Sequence, residues 1–315
     1  MPWRLAWQSA LYGTTGFYRR QSPASHFVTA THPPLGRVLA EALWRLADLL
    51  EVSGIVDVGA GRGELLTVLH EHRPDRPLLG CDVVERPYEL PEGISWRRSP
   101  GGASLAPDLL DLDDVLVVAH EWLDVVPCPI AQVDDAGVPR LVLVDPASGV
   151  ESLGEPLEGP DLDWCRTWWP TIGSAGEPGS RIEVGRDRDL AWEDLLRRIR
   201  RGGALAIDYG HTAEQRPTNG SLTAYRAGRR VEPVPDGGCD LTAHVAVDSL
   251  RHDEIWTQAV AFDRLGMHEP TPDPALAQCD RAGYLRRLER SSAIARLTDR
   301  EGFGAFRWVL VRQVD

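Results

Sequence analysis

Apolar residues recur through residues 36–50 at Val38, Leu39, Ala42, Leu43, Leu46, Leu49 and Leu50. Steps of three and four place them on one face of an amphipathic helix. Residues 53–72 then read as a short strand, a glycine turn and a second helix. Apolar stretches at 77–84 and 113–122, with a weaker one at 94–96, predict further buried strands. Strands alternating with helices predict an α/β fold with a doubly wound, mostly parallel sheet.

Beyond residue 128 the pattern changes. Residues 129–145 alternate as a hairpin with Asp135, Ala136 and Gly137 in its turn. Gly, Pro and Ser crowd residues 146–180, interrupted by a tryptophan-rich stretch at 163–169 that reads either as the core of a cap or as the wall of a substrate groove. An arginine-rich helix is expected over 186–201, its RRIRR end facing the negative helix terminus, and a strand over 202–210. Residues 211–240 look loop-like. A helical segment near 246–266, another near 281–298 and a closing strand at 306–314 complete the chain. The organisation expected is one domain over 1–315, with an N-terminal arm at 1–35 and cap segments inserted at 146–185 and 211–245.

Composition narrows the chemistry. The chain has 315 residues, 34 Lys+Arg against 47 Asp+Glu, and a net charge of -13. All 34 cations are arginine, and Asn219 is the sole asparagine. A codon bias toward G and C explains this. It nevertheless excludes Schiff-base, pyridoxal-phosphate, P-loop and kinase chemistry, which place an ammonium group at a fixed position. The acidic balance weighs against a nucleic-acid partner, because phosphate binding needs a clustered positive field. Cys81, Cys128, Cys165, Cys239 and Cys279 are scattered singly, and the histidines show no metal-ligand spacing, so neither a disulfide framework nor a metal is expected. With no secretory signal and no apolar run of membrane length, a cytoplasmic protein without a membrane partner is expected. Its oligomeric state is not legible.

The strongest chemical signal is the strand that runs through Asp57 into Gly59-Ala60-Gly61-Arg62-Gly63. Glycines allow a tight turn and let a ligand approach the backbone closely. A dinucleotide fingerprint would need a further glycine at 64, where Glu64 stands instead. A carboxylate opening the helix also competes with a pyrophosphate for the positive helix end. The spacing therefore suits a nucleoside ligand without phosphates, S-adenosylmethionine, with Asp57, Gly59, Ala60, Gly61 and Gly63 as its cradle. Asp82, ending the second strand, would grip the ribose hydroxyls.

Further strings follow in order: Gly16-Phe17-Tyr18, Ser25-His26-Phe27-Val28-Thr29, residues 120–127 (HEWLDVVP), Ala206-Ile207-Asp208-Tyr209-Gly210, residues 221–226 (SLTAYR) and residues 240–245 (DLTAHV). With the glycine loop they resemble the MidA-like family of S-adenosylmethionine-dependent methyltransferases, whose mitochondrial members methylate an arginine during assembly of respiratory complex I. The likeness runs from about residue 10 to the last strand. It implies a Rossmann-like fold, S-adenosylmethionine as cofactor, and a protein acceptor with an exposed arginine. Two positions depart from the family: His26 stands for an aspartate and His120 for an asparagine.

Glu121 and Asp124 lie just past the carboxyl end of strand four, where open α/β sheets bind ligands. They are read as an acceptor clamp that shares one side if residues 121–124 form a helical turn, with His120 beside them as a proton acceptor or hydrogen-bond donor. Asp208 and Tyr209 end strand five next to the same place. The resemblance adds Asp240 and His244 to the pocket, and brings His26 and Thr29 from an arm folded over the cofactor. Two other readings stay open: a cofactor-binding assembly or chaperone protein that has lost catalysis, and a nicotinamide-dependent oxidoreductase, against which the missing glycine counts.

Overall fold

The apolar run Gly54–Val58 (β1) is a strand buried from end to end. A computed structural model, describing residues 1–20, 30–169 and 177–313, sets it inside a seven-stranded sheet. The other strands are Leu78–Asp82 (β2), Ile94–Arg98 (β3), Leu112–His120 (β4), Ile199–Asp208 (β5), Glu254–Thr257 (β6) and Arg307–Gln313 (β7). Their order is β6-β7-β5-β4-β1-β2-β3. Strands β3, β2, β1, β4 and β5 pair in parallel, while β7 runs antiparallel between β5 and β6.

Side chains alternate across the sheet with a period of two. Leu116, Val118, Leu205, Ile207, Trp308 and Leu310 join a core under the helices Leu35–Leu49, Glu64–His72 and Arg281–Leu297. Val117, Ala119, Ala204, Ala206, Val309 and Val311 join a second core on the opposite face, with Trp192 and Leu195 of the helix Arg186–Leu196. Burial on both faces explains why these strands read as continuous apolar runs. Order reverses between β1 and β4, so the loops after their carboxyl ends diverge and leave a crevice there.

The remaining chain builds a layer above that crevice. One four-stranded antiparallel sheet combines the hairpin Ile130–Val133 and Pro139–Val144 with Glu151–Pro156 and Arg181–Glu183. A three-stranded sheet combines Thr223–Arg226, Arg229–Val231 and Asp240–Thr242. The helix Trp3–Tyr12 packs against this layer through Trp3, Trp7 and Leu11, and the Trp7 Nε1–H donates to the Leu241 carbonyl at 3.2 Å. Trp164 and Trp169 are buried with Leu157, Ile182 and Val184, so those two tryptophans form the cap's own core and not a groove wall.

Several local expectations give way to tertiary pairing. The region 146–180 contains the strand Glu151–Pro156 and the helix Gly159–Trp168, and 211–240 contains a hairpin. The expected helix over 186–201 stops at Leu196, because Ile199–Arg201 already pair beside β4. Arg198 accordingly binds Asp194 and the carbonyls of Ala106 and Leu109. The expected helix over 246–266 begins only at Gln258, where Thr257 Oγ1 accepts from Val260 N. Ile255 and Trp256 ahead of it extend the sheet against Val309 and Trp308, which suits a β-branched and an aromatic residue. Among the described residues no helix is long and apolar enough to cross a membrane.

Candidate active site

The glycine loop leaves β1 with Gly59, Gly61 and Gly63 all at positive φ, +77°, +58° and +81°. A Cβ on Gly63 would meet Leu90 at 2.5 Å, whereas one on Gly61 would find, among the described residues, only Glu64 Oε2, at 3.2 Å. Gly63 is thus needed for packing, and Gly61 leaves its open side to the crevice. Asp82 supports the loop: its Oδ2 accepts from Gly61 N at 2.9 Å and its Oδ1 from Val84 N at 3.2 Å. Glu64 Oε2 accepts from Arg62 N at 2.8 Å, so the opening of the helix already holds a negative charge of its own.

Two abutting cavities open above the loop. The larger, of about 300 Å³, is lined by Asp57, Gly59, Ala60 and Gly61 below and by Glu121, Asp124 and Asp240 on its walls, with Tyr18, Tyr209, Tyr225, His244 and Phe303 as aromatic neighbours. The smaller, of about 90 Å³, reaches Asp82, Val83, Val84, Ser99, Leu105 and Trp122. Gly59, Gly61, Tyr18, Glu121 and Val125 line both.

The acidic wall comes from the turn after β4. Alternation along a strand would send His120 and Glu121 to opposite sides. Glu121 instead adopts φ +52°, a left-handed conformation that costs a non-glycine residue about 1–2 kcal/mol, and both side chains line the larger cavity. The stretch 121–124 is a turn and not a helix. Asp124 still reaches the cavity, its Oδ2 accepting from Thr242 Oγ1 at 2.7 Å while Oδ1 is buried without a partner among the described residues. His120 Nε2 and Thr223 Oγ1 are unpartnered in the same sense. Asp208 lies behind the turn, with Oδ2 accepting from the backbone N–H groups of Leu123 and Asp124. Arg188, 1% exposed, donates to the carbonyls of Val126, Asp124 and His244 and fastens the turn to the cap.

Burial dominates the electrostatics. It raises Glu121 to about 8, with help from Asp124 and Asp240, and raises Asp57 to about 8, with help from Asp82 and Glu64. Asp240 rises to about 7, burial outweighing the hydrogen bond it accepts from Tyr18 at 2.6 Å. Asp82 rises only to about 6, because backbone N–H groups hold its charged form. Asp124 and Asp208 are also raised by burial. His120 moves the other way, to about 4, since burial penalises the imidazolium. Among the described residues the cavity is a cluster of carboxyl groups with no arginine in its lining.

Asp57, Gly59, Ala60, Gly61, His120, Glu121, Asp124, Tyr209, Asp240 and His244 thus converge on one cavity, and Asp82 on its neighbour. Asp240 and His244 do so from a strand and the turn after it, not from a shared helical face. Tyr209 stacks on His244 at 5.9 Å and meets Phe306 edge-on at 4.1 Å. Gly63 and Asp208 stand behind the lining. His26 and Thr29 lie outside the described residues. Sequence reasoning passed over Tyr18, Tyr225, Thr242 and Arg188. The first three sit in the quoted strings and could have been taken from them, while Arg188 has no signal among the arginines of its helix.

Residues 88–264 match the model of a family described as "putative S-adenosyl-L-methionine-dependent methyltransferase". In three dimensions the chain is similar to a protein from Burkholderia thailandensis whose crystal structure has S-adenosyl-homocysteine bound. The TM-score is 0.74 at 20% identity, over 99% of this chain and 88% of that one. A native crystal structure of a protein from the same organism gives a TM-score of 0.74 at 19% identity, over 99% and 87%. At these identities the likeness shows the fold. No curated protein sequence matches the chain.

Proposed function

Since the chain belongs to this family of S-adenosyl-L-methionine-dependent methyltransferases, we propose that it transfers the methyl group of S-adenosylmethionine to a guanidinium nitrogen of an arginine on a protein acceptor. The observation that carries this reading is the cavity itself: Glu121, Asp124, Asp240 and Asp57 face it with raised pKa values.

The residues fit the cofactor. Gly61 is open on the crevice side, and Asp82 ends β2 beside the smaller cavity. Asp82 would take the ribose hydroxyls, and Gly59, Ala60 and Gly61 the backbone-facing side, with Asp57 offsetting positive charge. When bound, the cofactor supplies a methyl group on a cationic sulfur, an electrophile that carries its own leaving group. The chain has to align the acceptor and receive a proton. Glu121 and the unpartnered Oδ1 of Asp124 would orient the N–H edges of a guanidinium and offset its charge. Glu121 would receive the proton that the acceptor nitrogen sheds as the methyl group leaves sulfur for nitrogen, its pKa of about 8 suiting a base that works close to neutrality. The ring of aromatic side chains excludes water and offers faces to a planar cation.

Calorimetry with S-adenosyl-homocysteine and transfer of labelled methyl groups into arginine-containing proteins of a lysate test this together. We expect micromolar-range binding and incorporation that disappears in Glu121→Gln and Asp124→Asn. Absence of binding would sink the cofactor assignment. Binding with no incorporation would favour the assembly-protein reading, and label appearing on a small molecule would move the acceptor away from protein.

A further inference from the structure

Alternate residues of the three-stranded sheet face the larger cavity. Thr223 and Tyr225 on one strand stand directly opposite Thr242 and Asp240 on the next, and all four line it. Ala224 and Leu241, between them, point the other way into the core around Trp7. Tyr18 donates to Asp240, and Thr242 Oγ1 donates to Asp124 Oδ2. Thr223 Oγ1 is buried with no partner among the described residues, and so is Asp124 Oδ1. Directly opposed residues bring their Cβ atoms to about 5 Å. The Thr223 hydroxyl therefore stands one side chain away from the carboxylate that Thr242 holds. The backbone around it is fixed. Glu183, 2% exposed, accepts through Oε1 from Ser221 N at 2.7 Å and from Leu222 N at 3.2 Å. Ser221 Oγ accepts from His244 N at 2.9 Å. Pairing with the strand Asp240–Thr242 holds the residues that follow. A β-branched side chain on such a backbone has little freedom at χ1, and a polar atom on a rigid wall selects ligands by geometry.

We propose that Thr223 is a specificity-determining residue: its hydroxyl oxygen and Asp124 Oδ1 form a two-point edge that accepts two N–H groups of one guanidinium, favouring arginine over an equally charged primary amine. Both atoms are acceptors, and a hydroxyl rotates its own hydrogen to suit the ligand. A guanidinium is a planar fork of N–H donors at fixed angles, so it can reach both atoms together. An ammonium is a compact point charge that the carboxylate alone would take. Thr223 lines the larger cavity, whereas the Asp82 proposed for the ribose lines the smaller, so the hydroxyl serves the acceptor and not the nucleoside.

This role rests on the arginine reading above, and binding without turnover separates the two. The full chain, saturated with S-adenosyl-homocysteine, is titrated with N-acetyl-arginine amide and with N-acetyl-lysine amide, and the protein's NMR shifts report each affinity. The parent should prefer the arginine probe by about tenfold, the worth of one hydrogen bond to a charged group. Thr223→Val should bring the probes to within about twofold by weakening the arginine probe alone, because valine keeps the shape and loses the acceptor. Thr223→Ser should restore the preference, and S-adenosyl-homocysteine affinity should stay the same throughout. A valine variant that keeps the full preference overturns the role. So does an equal loss of S-adenosyl-homocysteine affinity, which would give the hydroxyl to the cofactor. A parent that binds both probes alike refutes the two-point edge but leaves a cavity for cations. A parent that binds neither refutes the arginine reading, and this role with it. Should the valine variant not fold, Thr223→Ala against Thr223→Ser makes the same comparison.

Discussion

Replacing Glu121 with glutamine should stabilise the folded protein while abolishing methyl transfer. Burial beside Asp124 and Asp240 raises this carboxyl from 4.5 to about 8. A group that binds its proton more tightly when folded opposes folding only where the unfolded chain has already released that proton. The penalty is therefore absent below pH 4.5, grows from there to about 8, and is constant above. At pH 7 roughly 2.5 units of this range have been crossed, which at about 1.36 kcal/mol per unit is roughly 3 kcal/mol. Burying a neutral amide with incomplete partners costs about 1 kcal/mol of that gain. The net of about 2 kcal/mol corresponds to roughly 3 °C in Tm for a chain of this size. Glu121→Gly should add about 1 kcal/mol more by relieving the left-handed φ. Chemical denaturation of parent and variants at pH 5 and pH 8 is the assay. If Glu121→Gln were less stable than the parent at pH 8, or gained equally at both pH values, the carboxylate would not be the strained, desolvated group described here.

Binding of a cationic ligand at pH 7 should release about one proton, because Asp57, Glu121 and Asp240 sit at about 8, 8 and 7 and must ionise to meet it; calorimetry of S-adenosylmethionine in buffers of different ionisation enthalpy should find the release vanishing at pH 9. Gly61→Trp should cost more than roughly a hundredfold in S-adenosyl-homocysteine affinity, about 3 kcal/mol by the usual conversion, with the circular dichroism spectrum unchanged. Arg188→Leu should lower stability by roughly 3 kcal/mol in denaturant titrations, since it removes three hydrogen bonds of a buried guanidinium and takes the donor from the Val126 carbonyl.

What could be read from the sequence divides along physical lines. The sheet was legible because strands buried on both faces, such as β1, β4 and β5, are written as apolar runs, and because the amphipathic helix Leu35–Leu49 has a periodicity of its own. The strand Glu254–Thr257 was not. Its four residues are only half-buried, and β7, from more than fifty residues downstream, decides their conformation. The cap strands failed for the same reason: Glu151–Pro156 is mostly exposed and takes its shape from pairing with Pro139–Val144. At the site, the glycine loop could be read because backbone geometry demands glycine at φ of +58° to +81°. The turn after β4 could not, since nothing in the residue type of Glu121 announces a left-handed φ. Arg188 is the clearest omission. An arginine-rich helix reads as solvated, yet this guanidinium is one of the largest fully buried side chains among the described residues.

The way Arg188 is used bears on what the cavity is built to receive. Its nitrogens donate to backbone carbonyls of Val126, Asp124 and His244, not to carboxylates. Its charge lowers Asp124 and Asp208 through space, but burial still wins at both. The guanidinium therefore holds the turn in shape while leaving the acids of the cavity without direct cationic partners among the described residues. Had it paired with Glu121 or Asp124, the fold would gain a buried ion pair and the cavity would lose its appetite for positive charge. Unpaired buried carboxyls are costly, and a protein retains them where a ligand supplies the missing cation. A sulfonium, the ammonium of the same cofactor, and a guanidinium acceptor are three such groups, and each would find a raised carboxyl on the lining it meets. On this argument the net charge of -13 matters less as a surface property than for the few acids that the turn after β4 and the small sheet place inside.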